Sequence, residues 1–248
     1  MDRITPVQRR IAAIILLLAG LLPVLGIVLL PATGWPDSVQ GMSASEAFPL
    51  VRDNALAFRY GNVAMALAGI LFLPAAIYIL RVIAGDAAQP TLLMRVAYGF
   101  ALASGALRSL WYAVSLTTTP VLDRLWQGAD PATQASINVF YIAINDLLST
   151  VQEDIGVNLF GGLFTLLVAI AVLRGRAFPR WTGVMAAVGA SAYIISSSEL
   201  LGIPNGEIIP LLGPSVSSLW LAALGVVELL RHSAPQPDAL RGAPSLHG

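Results

Sequence analysis

Six apolar stretches, each close to the length of a membrane crossing, constrain this chain more than any other feature. They run Ile11–Leu30, Tyr60–Leu80, Val96–Leu116, Ile155–Leu173, Trp181–Leu201 and Ile208–Leu230. About 20 residues at ~1.5 Å rise cover a hydrocarbon core ~30 Å thick. Inside lipid every backbone N–H and C=O must be satisfied within its own segment, so such stretches fold as helices. The chain therefore reads as an all-α fold, a polytopic membrane helical bundle of about six transmembrane helices. Only 11% of its residues are charged, against about 25% in a soluble domain. Too little polar surface remains for water, so lipid must cover much of the exterior.

The arginines orient the bundle. With six spans, one face receives Arg3, Arg9, Arg10, Arg81, Arg95, Arg174, Arg176, Arg180, Arg231 and Arg241. The opposite face receives Arg52, Arg59 and Arg124, and Arg108 falls inside the third span. Arginine-rich loops stay in the cytoplasm, so both termini are expected there. The expected organisation is one transmembrane domain over 1–230, with long outer loops at 31–59 and 117–150. A Pro-, Ala- and Gly-rich tail over 231–248 reads as disordered and cytoplasmic.

Missing residue types exclude much chemistry. There is no Cys and no Lys, and the two histidines, His232 and His247, stand in the tail. Thiolate chemistry, iron–sulfur or thiolate–zinc sites, Schiff-base catalysis and a histidine-ligated haem or zinc within the bundle are all ruled out. No cofactor is expected. Net charge is zero, which offers nucleic acid no basic field. An Arg-only, Ala- and Gly-rich chain fits a GC-rich bacterial genome, so the expected location is a bacterial plasma membrane, with the bilayer as its partner. The oligomeric state stays open.

Local signals mark the connections. Arg3, Arg9 and Arg10 before an apolar run resemble a signal peptide, but the run is too long for one and reads as a retained helix. Trp35 is placed as an interfacial anchor. From Ile137 to Val151 apolar residues recur at helical spacing opposite Asn138, Asn145, Ser149 and Gln152. That stretch either lies at the interface or extends the fourth span outward. Gly183, Ala187 and Ser191 repeat every four residues, as close helix packing requires. Glu228 and Arg231 read as interfacial residues.

An Arg in the third span, the acidic pair Glu153–Asp154 entering the fourth, and Phe178-Pro179-Arg180-Trp181-Thr182-Gly183 between the fourth and fifth together carry a resemblance. The chain resembles the bacterial membrane family catalogued as domain of unknown function 4386, over most of residues 10–230. Members of that family carry a His-Asp pair where this chain has Glu153–Asp154. The resemblance implies a topology and brings no activity.

Ionisable groups inside a membrane are costly, about 2.5–3.5 kcal/mol each at the centre of a helix on insertion scales, and so mark candidate sites. Arg108 is placed ~20 Å from the cytoplasmic edge by helical rise. Asp154, Glu199 and Asn62 come out at ~27–29 Å. On the third span, Ser104, Arg108, Trp111, Tyr112 and Ser115 share one face. Asn158 lies one turn below Asp154. The candidate ligand-binding residues are thus Asn62, Arg108, Trp111, Tyr112, Glu153, Asp154, Asn158 and Glu199. They are expected to form an outward-facing polar pocket with Arg108 at its base and the acids at its mouth. Arg108 is expected to pair with at least one carboxylate.

The leading reading is a non-enzymatic protein that binds or senses a small lipophilic molecule. An Arg–carboxylate pair that only fixes helix order is the structural alternative. A membrane-embedded enzyme with a carboxylic acid as proton donor, as in small polytopic terpene cyclases, is the catalytic one. A proton-coupled transporter, and a carboxylate-only site for a hard cation, complete the set.

Overall fold

The computed structural model describes residues 5–30, 42–85, 91–203 and 208–233. The expected anchor Trp35, the terminal Arg3 and the tail beyond Ser233 lie outside the described residues. All regular structure among the described residues is helical: α1 (Pro6–Leu29), α2 (Ala44–Asp53), α3 (Ala55–Ala84), α4 (Leu92–Arg108), α5 (Leu110–Gln127) and α6 (Pro131–Ser149) come first. A π-helical segment, Thr150–Gly161, leads into α7 (Gly162–Arg174); α8 (Arg180–Ser196), a 3₁₀ turn Ser197–Leu201 and α9 (Ile208–Ser233) follow.

Helices start where the sequence supplies partners for their free N–H groups. Thr5 and Ser43 form capping boxes with Gln8 and Glu46, and the Asp130 carboxylate accepts from the backbone N–H of Ala132 and Thr133, both at 2.9 Å. Hydrogen bonds from Ser43 hold the Glu46 carboxyl below its ordinary range. Those from Thr133 do the same for Asp130.

Among the described residues, five stretches are long and apolar enough to cross a membrane: Pro6–Leu29, Ala55–Ala84, Pro131–Arg174, Arg180–Leu201 and Ile208–Arg231. Broad bands of large apolar side chains on them, such as Leu18, Leu21, Leu25 and Val28 on α1, remain uncovered by protein, as a lipid-facing surface requires. The sixth expected span, Val96–Leu116, is broken at Ser109. Neither Pro nor Gly stands at the break. Instead the Ser109 hydroxyl donates to the Ala66 carbonyl on α3 at 3.1 Å. Gly69 of α3 lacks the Cβ that would collide with Ser109. A side-chain bond to a neighbouring backbone and a close helix approach together interrupt the ladder.

Pro131–Arg174 settles the choice that the sequence leaves open. Residues 137–150 continue the fourth span as one uninterrupted helical path of 44 residues, ~66 Å long. That exceeds the hydrocarbon thickness, so its first part projects beyond it.

α1 and α9 run antiparallel: Gly225 packs on Ala13 and Leu17, and Gly20 packs on Ser218 and Ala222. The start of α1 and the end of α9 therefore share one end of the bundle, here the terminal end. At the opposite end, α2, α5 and α6 form a cap with its own core of Phe48, Val51, Phe58, Leu122, Ile137 and Tyr141. Phe48 meets Tyr141 and Trp126 edge-on, with centroids 5.1 and 5.7 Å away. Its burial alone contributes about 1.5–3 kcal/mol. An Arg52–Asp123 ion pair and the Ala44 N–H bond to Asn138 at 2.7 Å tie α2 to α5 and α6. The described parts of the two stretches that read as long connections, 42–59 and 117–150, are thus largely helical and pack over the same end.

The terminal end holds a different device. Glu228, only 1% exposed, accepts from the Tyr78 hydroxyl at 2.6 Å and from Arg231 at 2.8 Å. Arg231 also donates to the Ala177 carbonyl at 2.8 Å and lies over the Phe178 ring. Glu228 is therefore a buried clasp between α3, α9 and the α7–α8 turn, which corrects its reading as an interfacial residue.

Candidate functional site

One cavity of about 760 Å³ opens inside the bundle towards the cap end. That is within the ~300–1,000 Å³ typical of small-molecule sites. Its walls come from one face of α1 (Ala19, Pro23, Ile27), from Met65 to Phe72 of α3, from α5, from the π segment, and from the first half of α9.

Seven of the eight candidate residues line it: Arg108, Trp111, Tyr112, Glu153, Asp154, Asn158 and Glu199. The eighth, Asn62, does not. It is fully buried and donates to the Phe58 carbonyl at 2.8 Å within its own helix. Depth along a helix does not fix which neighbour a side chain faces.

Arg108 departs most from expectation. Its Nε donates to Ser104 Oγ at 2.9 Å. Its guanidinium lies over the Phe72 ring at 4.1 Å from the centroid, with the Tyr193 ring at 5.9 Å. It makes no ion pair with Glu153, Asp154 or Glu199. The expected Arg–carboxylate pair is replaced by aromatic faces, whose quadrupoles attract a cation. Gly161 leaves the room: a Cβ there would run into the Arg108 guanidinium.

The acids occupy another part of the wall. Glu153, Asp154 and Glu199 lie near enough to act on one another, and Asn158 sits beside Asp154. Asp154 is 7% exposed, while Glu153 and Glu199 are open. They do not form a metal-ligating group, nor does any other set among the described residues, so the hard-cation reading gains no support. The π segment that carries two of the acids has a widened turn, and π-bulges concentrate at functional positions. Gly156 in it seats against Leu107, where a Cβ would not fit.

Phe72 and Trp220 supply aromatic wall, and Ser217 and Ser218 polar wall, that escaped the sequence reading; Tyr193, Ser149 and Gln152 line the cavity with them. Trp111 Nε1, Ser217 Oγ and Trp220 Nε1 are buried without a hydrogen-bond partner. A buried donor left unmade costs about 1–3 kcal/mol, so three in one cavity wall are an expensive arrangement. Trp220 gave a usable signal, being a tryptophan mid-span rather than at a membrane interface.

Between the cavity and the Glu228 clasp lies a packed apolar layer that includes Leu16, Ile79, Val168, Val172 and Leu224. No polar path among these residues joins the two.

Helical crossings, a lipid-facing exterior and a polar-lined internal cavity define a multi-pass α-helical membrane protein. Residues 11–230 match the family described as domain of unknown function (DUF4386), and the chain belongs to that family. No curated protein and no solved structure matches it.

Proposed function

We propose that this protein binds a small lipophilic molecule in the cavity, with Arg108 receiving a carbonyl or anionic group of the ligand. The observation that carries this reading is Arg108 itself: a guanidinium inside a helical bundle, resting on Phe72, with no carboxylate to neutralise it. An unneutralised charge in this setting is costly, and a ligand acceptor would offset that cost. The unpartnered Trp111, Ser217 and Trp220 groups offer further donors, and the apolar wall suits a hydrocarbon body. The arginine distribution supports a terminal end on the cytoplasmic side, so the cavity faces outward.

Native mass spectrometry of the full-length protein, released from mild detergent, tests this. Wild-type protein should carry a lipophilic adduct that Arg108→Gln loses or reduces at least tenfold. Bare protein in both cases, with no dibromostearate binding on titration, would contradict the reading.

One observation favours a second reading, acid catalysis on an apolar substrate. Asp154 is buried in the cavity wall and has no cationic partner, which places a carboxyl group against whatever the cavity holds. Turnover that Asp154→Asn abolishes while adduct binding survives would establish it.

A further inference from the structure

The same cavity has a second property, in how its walls part. Six glycines record where neighbouring helices touch. In the terminal half, Gly20 and Gly225 press α1 and α9 together, backbone against backbone. Towards the cap end the two helices take different partners. Gly26 receives Met65 of α3, and Gly61 of α3 receives Leu29 and Leu30 of α1. On the other side Gly213 of α9 receives the Tyr193 ring of α8, and Gly189 of α8 receives Ser217 of α9. So α1 leans onto α3 and α9 leans onto α8. The antiparallel register of the Gly20 and Gly225 contacts, continued along the helices, brings Ile27 level with residues 211–215. Those levels are where Pro23, Ile27, Leu211, Pro214 and Ser215 all border the cavity. Pro23 and Pro214, each inside its helix, remove the N–H that would keep the ladder straight. The change of partners at this level, with both helices bordering the cavity, implies a V between α1 and α9, closed at Gly20 and open above it.

The rim of the V is apolar and uncovered, with Ile27 41% and Leu211 54% exposed. It belongs to two helices that cross the membrane, so it opens on hydrocarbon rather than water. Arg108 lies in the wall of the same cavity. On the α3, α5 and α6 side the cap core packs against Leu30, Met65, Trp111 and Tyr112, four residues that also line the cavity.

We infer that the occupant is a single-chain amphiphile with an anionic head, which passes sideways out of the bilayer between α1 and α9 and sets its head on Arg108. This rests on the binding reading above and adds a route and a ligand class. The hydrocarbon chain never crosses water on this path, and the V lets its tail stay in lipid while the head is inside.

The chain has no Cys, so the V can be bridged chemically. The test uses full-length protein in nanodiscs with Trp35, Trp126 and Trp181 replaced by Phe, leaving Trp111 and Trp220 as reporters. Ile27→Cys and Leu211→Cys are added, both at positions whose exposure makes substitution mild. One sample is bridged with a bifunctional maleimide, and its control carries two monofunctional caps. Dibromostearate, delivered from donor vesicles, quenches tryptophan on contact. Bridging should slow quenching at least tenfold, and dibromostearate loaded before bridging should be retained at least tenfold longer. Equal rates in bridged and capped protein, with quenching intact, would overturn the lateral route and leave the binding reading standing. Rapid loss of preloaded dibromostearate from bridged protein would overturn it equally. Absence of quenching in both samples would overturn the inference and the binding reading together.

Discussion

The guanidinium carbon of Arg108 lies 4.1 Å from the centre of the Phe72 ring. A cation placed over an aromatic face is worth about 0.5–2 kcal/mol, more when desolvated. Thermal unfolding in detergent of Arg108→Gln, Phe72→Leu and the double variant should show a coupling of that size. The matching cycle with Asp154→Asn should show almost none, because Arg108 and Asp154 are not paired. Stronger coupling to Asp154 than to Phe72 would restore the ion pair that the sequence suggested.

The Glu228 clasp gives a second test. Arg231→Ala removes the charge that pairs with the buried Glu228 carboxylate, which should cost about 3–5 kcal/mol. Tyr78→Phe removes one charge-assisted hydrogen bond and should cost about 1.5–3 kcal/mol. Arg231→Met combined with Glu228→Leu should unfold at a higher temperature than Arg231→Ala alone. A double variant weaker than the single would show that the clasp acts as more than paired charges.

Two glycines of the same type should respond with opposite sign. At Gly20 a Cβ would strike the backbone of Ser218 and Ala222, neither of which can yield cheaply. Gly20→Ala should destabilise by about 1–3 kcal/mol through overpacking. At Gly99 on α4 nothing lies within 4 Å of the added carbon, so Gly99→Ala should raise stability by up to ~1 kcal/mol through helix propensity. Matching shifts in melting temperature for the two would contradict the close α1–α9 contact.

Asp130 caps α6 as a carboxylate, and bonds from Thr133 lower its pKa in the folded state. A lowered folded value means the stabilisation is complete above the ordinary aspartate pKa of 3.8 that holds in the unfolded chain. It is lost as pH falls through the lower folded value. Asp130→Asn keeps a capping oxygen and has no proton to gain. The gap in unfolding temperature between wild type and Asp130→Asn should therefore shrink below about pH 4. A gap that grows on acidification would reverse the sign.

Much of this arrangement could be read from the sequence because its causes are local. Run length identified five of the six expected crossings as long apolar helices, and the arginines sorted into two groups that the antiparallel α1 and α9 helices are consistent with. The Arg108, Asp154 and Glu199 positions converged on one cavity because helical rise places residues well in depth. What stayed hidden depends on distant partners. The break at Ser109 comes from Ala66 and Gly69 on another helix. Asn62 turned away from the cavity, and Arg108 chose Phe72 over an acid, because side-chain direction follows helix rotation and tilt. The α2–α5–α6 cap was masked by its polar loop-like composition, although the Ser43–Glu46 pair signals a helix start.

The central claim, that Arg108 anchors the head of a lipophilic ligand, is tested most directly by comparing two probes that differ only at the head. Dibromostearate and dibromostearyl alcohol should be titrated against protein retaining only Trp111 and Trp220, in wild-type and Arg108→Gln backgrounds. A charge-assisted hydrogen bond contributes about 1.5–3 kcal/mol, which is roughly a 10- to 150-fold preference. Wild type should favour the carboxylate by that factor, and Arg108→Gln should bind both probes alike. Equal affinity of wild type for acid and alcohol, or an acid preference that survives Arg108→Gln, would contradict the account.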